Sequence, residues 1–519
     1  MNIEQQIACT LKLEKNILDV GIIDSIKILE DFLYDKKIIN IFSMNRNSDE
    51  LSNYIAQFLL NPFYLDYINI SQTYFSNMIL DLHFILNNPF LYNSKKFKII
   101  GKNLDQISKI PKLIEKCLDN TYNCKKLKYF YNEKLFKKWK DGNNFTKISY
   151  EKYINTVTIP IRKDYILYEK IWDVFVVIVM ETKKIVDKYY DLYKNMYQRA
   201  GCINICKEFY SFCVEINTTV PFNKNILKWG LEEFEKIKIK MNQNINNYDN
   251  IYKDMTLEDK IKKINNNTAL KYTTEKDFID HHNIIMNEYI EFFINKKKLP
   301  LLKKPTIVSF NDKTMAGGYW YEDSFYLNTS NYKDTNKFET KALVMHETIP
   351  GHHLQLSYAL HKESYDSLLL CWFPTFVNGY AEGWGLFAEN LADNINQIEY
   401  VGITASHMFR TIRIIADVGI HMFGIDPEEM IDFFSMYLPM SRNSIESEIY
   451  RYICMPGQAM CYKVGYEIIK RIYVKRLNRT NMLNNDDAIQ LYKELIVDRV
   501  LPLELLAKKH NISYSFYFL

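Results

Sequence analysis

Residues 346–353 read His-Glu-Thr-Ile-Pro-Gly-His-His. Imidazoles next to a carboxylate are the materials of a zinc site that carries its own base, because histidine nitrogens ligate zinc and a glutamate can move a proton beside it. The usual spacing for this chemistry puts two histidines four residues apart on one helical face. Here Pro350 takes that position, and His352 and His353 follow His346 by six and seven residues. On a straight helix they would stand about 9 and about 10.5 Å further along the axis. Two bonds of ~2.0–2.1 Å to one ion cannot span that separation. Pro350 and Gly351 are, however, helix-interrupting residues: proline removes a backbone donor and clashes with the preceding turn, and glycine admits positive φ. A two-residue bulge over Ile349–Gly351 returns His352 to an effective fourth position, and a three-residue bulge does so for His353. The smaller distortion favours His352, with His353 as the alternative. Chance clustering is a poor explanation, since six of the chain's ten histidines fall between His346 and His421.

The flanks read as helices. Lys341–Met345 leads in with an apolar run, and Leu354, Leu356 and Leu360 continue at near-helical spacing. Further on, Gly379–Glu389 sets Glu382 among Ala, Gly and Trp, where a carboxylate is costly unless it is paired or binds metal. Glu382 is therefore the expected third ligand of one Zn2+, in a His346–His352–Glu382 set with a fourth position open to water. Glu389 is a weaker ligand candidate that could instead orient a ligand histidine. Glu347 directly follows a ligand and points away from it, as a general base would. The chemistry expected of these residues is metal-assisted hydrolysis of an amide or related acyl bond.

The strings HETIPGHHLQ, YAEGWGLFAE and RYICMPGQAMCYKVG resemble the family known as domain of unknown function 885, which is grouped with the gluzincin metallopeptidases. The resemblance is strongest over about 341–470 and extends upstream through Lys298–Leu301 and Ala316–Tyr321. It implies a mainly α fold of the gluzincin type, a large helical bundle around a deep cleft with a small β-sheet beside the active-site helix. His346, Glu347, His352 and Glu382 match the family's motif positions. A motif lengthened before its second histidine also occurs in the dipeptidyl-peptidase III family.

The segment Glu448–Tyr462 is similar to the Arg-Tyr element that follows the third ligand in helical peptidases related to angiotensin-converting enzyme. By that resemblance Tyr452 is the expected oxyanion donor and Arg451 a substrate-carboxylate or structural partner, and Tyr462 is a further candidate for contact with substrate. Arg413, Asp417 and His421 share one helical face. They would either orient substrate or form a polar ladder inside the fold. Residues 303–330 are the best strand candidates, with β-branched and aromatic runs either side of the turn-prone Asn311–Lys313. In gluzincins a strand at this place binds the substrate backbone by strand addition, and Gly317 and Gly318 would permit that close approach.

Composition sets the frame. The 519 residues are 47% hydrophobic with a formal net charge of +4, which gives no signal for nucleic acid or a membrane surface. The basic run Lys112–Lys140 is interspersed with acids and reads as a solvated helix face. Nine cysteines without framework spacing indicate reduced thiols, and Cys202, Cys206 and Cys213 read as core. The first residues have neither a basic start nor an apolar stretch, and the longest apolar run, Val174–Met180, is too short to span a bilayer. The expected location is cytoplasmic.

Residues 1–300 read as successive helices, including 53–60, 75–86, 165–193, 203–214 and 276–294, with an Asn-rich exposed loop with helical interruptions over 242–267. This part would form one wall of the cleft, and 301–519 would carry the strands and the chemistry, with a soft boundary at 301 inside one cooperative structure. The expected activity is a zinc-dependent peptidase on short peptides, of the carboxypeptidase or dipeptidase kind. The alternatives are a non-catalytic scaffold or binding protein that keeps the zincin architecture, and a hydrolase of a non-peptide amide or ester.

Overall fold

Apolar residues at helical spacing run through most of the chain, and in the computed structural model they form helices joined by short capped turns. The structure describes residues 3–13, 22–45, 49–70, 95–123, 165–197, 206–311, 317–321, 323–361, 373–391, 394–477, 485–497 and 500–513. It separates into two compact units, Met1–Phe209 with Ser367–Pro374, and Tyr210–Asp366 with Thr375–Leu519. Residue 301 lies inside the second unit.

The first unit is helical where described. Glu50–Leu59 starts at Asp49, whose carboxylate accepts from Ser52 N, a cap that satisfies one orphaned donor of the first turn. Its core gathers Ile26, Leu29, Phe32, Ile38, Phe42 and Ile55, each contributing about 1.5–3 kcal/mol of burial. Helix Tyr165–Tyr197 covers the expected 165–193. It is one-faced rather than wholly buried: Phe175 and Ile178 are buried while Val177 and Met180 are more than half exposed. No helix among the described residues is long and apolar enough to cross a membrane. The expected helix over 75–86 lies outside the described residues, as do Cys202 and most of the basic run beyond Asn123.

The second unit holds every residue proposed above for chemistry. Its long helices are α1 (Ile226–Tyr248) and α2 (Glu275–Tyr289), with Leu257–Asn265 between them. The helical interruptions expected in the Asn-rich stretch thus make up most of it, with the loop reduced mainly to the residues between Tyr248 and Leu257. The reason is local: Lys260, 1% exposed, donates to Asn242 Oδ1 at 2.6 Å and Asn246 Oδ1 at 2.8 Å. Two asparagines one turn apart therefore satisfy a buried ammonium instead of facing water.

Three strands follow, β1 (Thr306–Phe310), β2 (Gly318–Tyr321) and β3 (Ser324–Asn328), in the order β1-β3-β2. β3 is parallel to β1 and antiparallel to β2. Phe325 and Leu327 of β3 are fully buried. Next come α3 (Thr340–Glu347), α4 (His352–His361) and α5 (Asn378–Ala388), then α6 (Gln397–Phe423), α7 (Arg442–Cys454) and α8 (Cys461–Leu477). α6 opens with a capping box between Asn396 and Glu399 and closes at Gly424 with φ 70°, the left-handed stop that glycine adopts without penalty. Helices α5 and α8 cross backbone to backbone. A Cβ on Gly383 would lie 2.3 Å from Gly465 C, and one on Gly465 would lie 1.9 Å from Gly379 O.

Candidate metal centre

The irregular octapeptide is two helices and a break. α3 ends at Glu347, and Thr348 closes it by donating its N–H to Val344 O at 2.8 Å. The Ile349–Pro350 bond is cis, and α4 begins at His352. Gly351 is required by contact, since a Cβ there would stand 2.0 Å from His346 O and 2.2 Å from Met345 O. Trp384 of α5 anchors the break by donating Nε1–H to Pro350 O at 2.8 Å. The expected bulge is therefore a full interruption, and it brings the His346 and His352 rings to 4.6 Å between centroids.

Glu382 of α5 meets both. Its Oε2 lies 3.5 Å from His346 Nε2 and 3.3 Å from His352 Nε2, and one donor atom from each of the three residues falls within a 4.8 Å set. Bonds of ~2.0–2.2 Å in a tetrahedral shell place donors about 3.3–3.5 Å apart, which is the separation of Glu382 from each imidazole. Gly385 makes room for the first imidazole: a Cβ there would lie 2.8 Å from His346 Cε1. Glu389 fulfils the orienting role considered for it, with Oε1 2.9 Å from His346 Nδ1. That bond leaves Nε2 to face the other two donors.

The electrostatics are those of an acidic pocket. Burial favours neutral His346, but hydrogen bonds to Glu382 and Glu389 and the charge of Glu347 outweigh it and push its pKa up to about 9. Burial raises Glu382, yet its bonds to His346 and His352 hold it well below the usual carboxylate range. Glu347 is 7% exposed, and its buried Oε2 has no hydrogen-bond partner among the described residues.

His353 takes no part in the trio. Its Nε2 donates to Lys303 O at 2.6 Å, and its Nδ1 accepts from Trp320 of β2 at 3.3 Å. It ties α4 to β2, so neither the alternative ligand role nor a substrate contact is open to it. Gly318 also differs from expectation: a Cβ there would lie 2.5 Å from Phe325 Cε2, so packing of β3 against β2 requires the glycine.

Tyr452 is 1% exposed, donating to Glu448 Oε2 at 2.9 Å and accepting from Arg413 Nε at 3.0 Å. Its proton is committed inside the fold, which removes it as the oxyanion donor. Arg451 spends Nη1 on Gln458 Oε1 and Nη2 on Glu448 Oε2, both at 2.9 Å, the structural of its two expected roles. Tyr462, on α8 and partly exposed, has its ring 6.1 Å from that of His346 and 24° from parallel. Burial and then the charge of Glu382 push its hydroxyl pKa up, which keeps it a proton donor.

The Arg413–Asp417–His421 row divides. His421 is 4% exposed, bonded through Nε2 to Tyr452 O at 3.1 Å and stacked on Tyr210 at 5.2 Å. Asp417 accepts from Tyr210 Oη at 2.7 Å and Gly457 N at 2.9 Å. Those two form a buried ladder, so His421 is not a substrate contact. Arg413 turns instead toward Tyr462, with its guanidinium carbon 4.3 Å from the ring centroid.

With this geometry in hand, relatives supply the class. The chain belongs to the family described as "Bacterial protein of unknown function (DUF885)", whose model matches residues 177–476. The fold is shared with a solved structure described as "putative lipoprotein from Colwellia psychrerythraea", with a TM-score of 0.64, 15% identity, and coverage of 98% of this chain and 99% of that one. A second, from Shewanella oneidensis and described as a "putative lipoprotein of unknown function", has a TM-score of 0.49 and 14% identity, and covers 96% of this chain and 92% of its own. No curated protein matches the chain.

Proposed function

We propose that this chain is a zinc-dependent peptidase of the gluzincin kind, acting on short peptides. The observation that carries the reading is the close-set His346–His352–Glu382 trio, with Glu347 directly after the first of them, its Oε2 without a hydrogen-bond partner among the described residues. Zinc in that trio would supply Lewis-acid polarisation and an acidified water. Glu347 takes a proton from the attacking water as its oxygen bonds the carbonyl carbon, then delivers it to the amine nitrogen as the C–N bond breaks. Tyr462 donates its hydroxyl proton in a hydrogen bond to the developing oxyanion. Glu389 holds the His346 ring in place through Nδ1.

Among the described residues β2 pairs with β3 on one side only, so its other edge suits an extended substrate backbone. Cys9 and Cys461 are free thiols, in keeping with the reducing setting this reading assumes.

Metal analysis of the purified protein, paired with mass-spectrometric mapping of a mixed peptide library, tests the proposal. Bound zinc, with cleavage by the wild type reduced about 10²–10⁴-fold in Glu347→Gln, is the expected result. Zinc without cleavage by either protein would leave a zincin-like binding protein, and absence of metal would end both catalytic readings.

A further inference from the structure

Tyr462 lies against a second group of charges, buried at Arg413 and half-buried at Arg410 and Arg451. Arg410 and Arg413 lie one turn apart on α6, with guanidinium carbons 5.7 and 4.3 Å from its ring centroid. Arg451 of α7 stands nearby through a shared partner: Glu448 Oε2 lies 3.0 Å from Arg413 Nη2 and 2.9 Å from Arg451 Nη2. The remaining carboxylate in contact is Glu389, 3.8 Å from Arg410 and already bonded to His346. Three guanidinium groups thus lie against two carboxylates at ion-pair distance.

The donors show what these contacts leave unused. Each guanidinium carries five N–H groups. Arg413 uses Nε on Tyr452 and Nη2 on Glu448, and its buried Nη1 has no partner among the described residues although the residue is 5% exposed. Nε of Arg410 and Nε of Arg451 are buried without partners in the same way. Orphaned donors on a buried cation are costly and call for an anionic acceptor.

We propose that Arg413 binds the free C-terminal carboxylate of the substrate, with Arg410 beside it, so that the protein removes a short piece from the carboxyl end of peptides. Nη1 of Arg413 has two N–H groups with which to bond a carboxylate, and every unmodified peptide carries a carboxylate at its end. The span fits: the Tyr462 ring lies 4.3 Å from the Arg413 guanidinium and 6.1 Å from the His346 ring. At ~3.3–3.6 Å per extended residue, about three residues or fewer separate the anchored terminus from the bond at the trio. The inference rests on the peptidase reading, and its test separates the two.

One peptide series is prepared as free acids and as C-terminal amides. The wild type is expected to cleave the acids at least about 100-fold better in kcat/KM, because a site built to bond a group rejects the analogue that lacks it. Released fragments should be about three residues or shorter. Arg413→Gln should collapse the acid-to-amide preference to a few-fold, and Arg413→Lys should recover part of it. Equal cleavage of acids and amides, or cleavage far from the carboxyl end, would overturn the proposal while leaving the peptidase reading intact. Calorimetry with Glu347→Gln and an acetylated dipeptide, as acid and as amide, gives a readout without turnover. Preference for the acid that disappears when Arg413→Gln is added supports the anchor even if no peptide is cleaved. No preference overturns it.

Discussion

His346 and His282 are both buried histidines of the second unit, on neighbouring helices, and they are in opposite states. His346 lies between Glu382 and Glu389 with Glu347 next in sequence, and is pushed up to about 9. His282, 0% exposed, gives Nδ1–H to Phe278 O at 2.7 Å and packs on the Phe278 ring at 4.4 Å. No carboxylate among the described residues bonds it, and burial drives its pKa down to about 4. Burial alone therefore does not decide the charge of a histidine; the carboxylates packed beside it do. One environment calls for a cation and the other excludes it, which separates a site from a core within the same scaffold.

Making His346 resemble His282 is the most damaging way to break this contrast. Glu382→Gln removes the carboxylate that faces both imidazoles; zinc content measured by mass spectrometry should fall from one per chain toward zero, with a loss of peptide hydrolysis of more than about 10³-fold. The aromatic neighbours offer a second approach. Tyr462→Phe gives His346 a hydrocarbon partner like that of His282, and kcat should fall about 10²–10³-fold with metal retained. Tyr452→Phe should lower the melting temperature instead, since Arg413 and Glu448 lose a buried partner.

The third prediction works from the core side. Folded His282 stays neutral to about pH 4, whereas the unfolded chain takes up its proton below about 6.5. Stability from this group is therefore full above about 6.5 and is lost as pH falls toward 4, about 3 kcal/mol in all. Chemical denaturation of His282→Phe across that window should show a shallower loss than the wild type. His421, held by burial at about 4, leaves a remainder of the same sign. The mildest change is Glu389→Gln, which keeps a bond to His346 but removes the charge; competition with a chelator should show zinc affinity lower by about 10–100-fold.

The trio was legible because each member announced a local conflict. Pro350 and Gly351 cannot sit in a helix, and Glu382 cannot sit uncharged-for among Gly383, Trp384 and Gly385. Mostly helical structure and three strands over 303–330 were legible for the same reason, from local periodicity. The errors fall where the decision is tertiary. Tyr452 and Tyr462 look alike in sequence, and only Glu448 and Arg413, arriving from α7 and α6, commit the first and leave the second. His353 reads as a ligand until Lys303 and Trp320 claim its two nitrogens. Asn242 and Asn246 read as loop because their partner, Lys260, lies a helix away. Arg413 was seen in a row with Asp417 and His421, but nothing in that spacing says that one end of the row faces Tyr462 and the other faces Tyr210.

The glycine crossing of α5 on α8 has one more consequence. Glu382 stands next to Gly383, and Tyr462 lies three residues before Gly465, so the two groups are referenced to a main-chain contact rather than to side-chain packing. Side chains can change rotamer to absorb a neighbour's substitution; two backbones in contact cannot. The distance from ligand to hydroxyl therefore behaves like a machined tolerance, insensitive to drift in the surrounding core and intolerant of a single added methyl at the crossing.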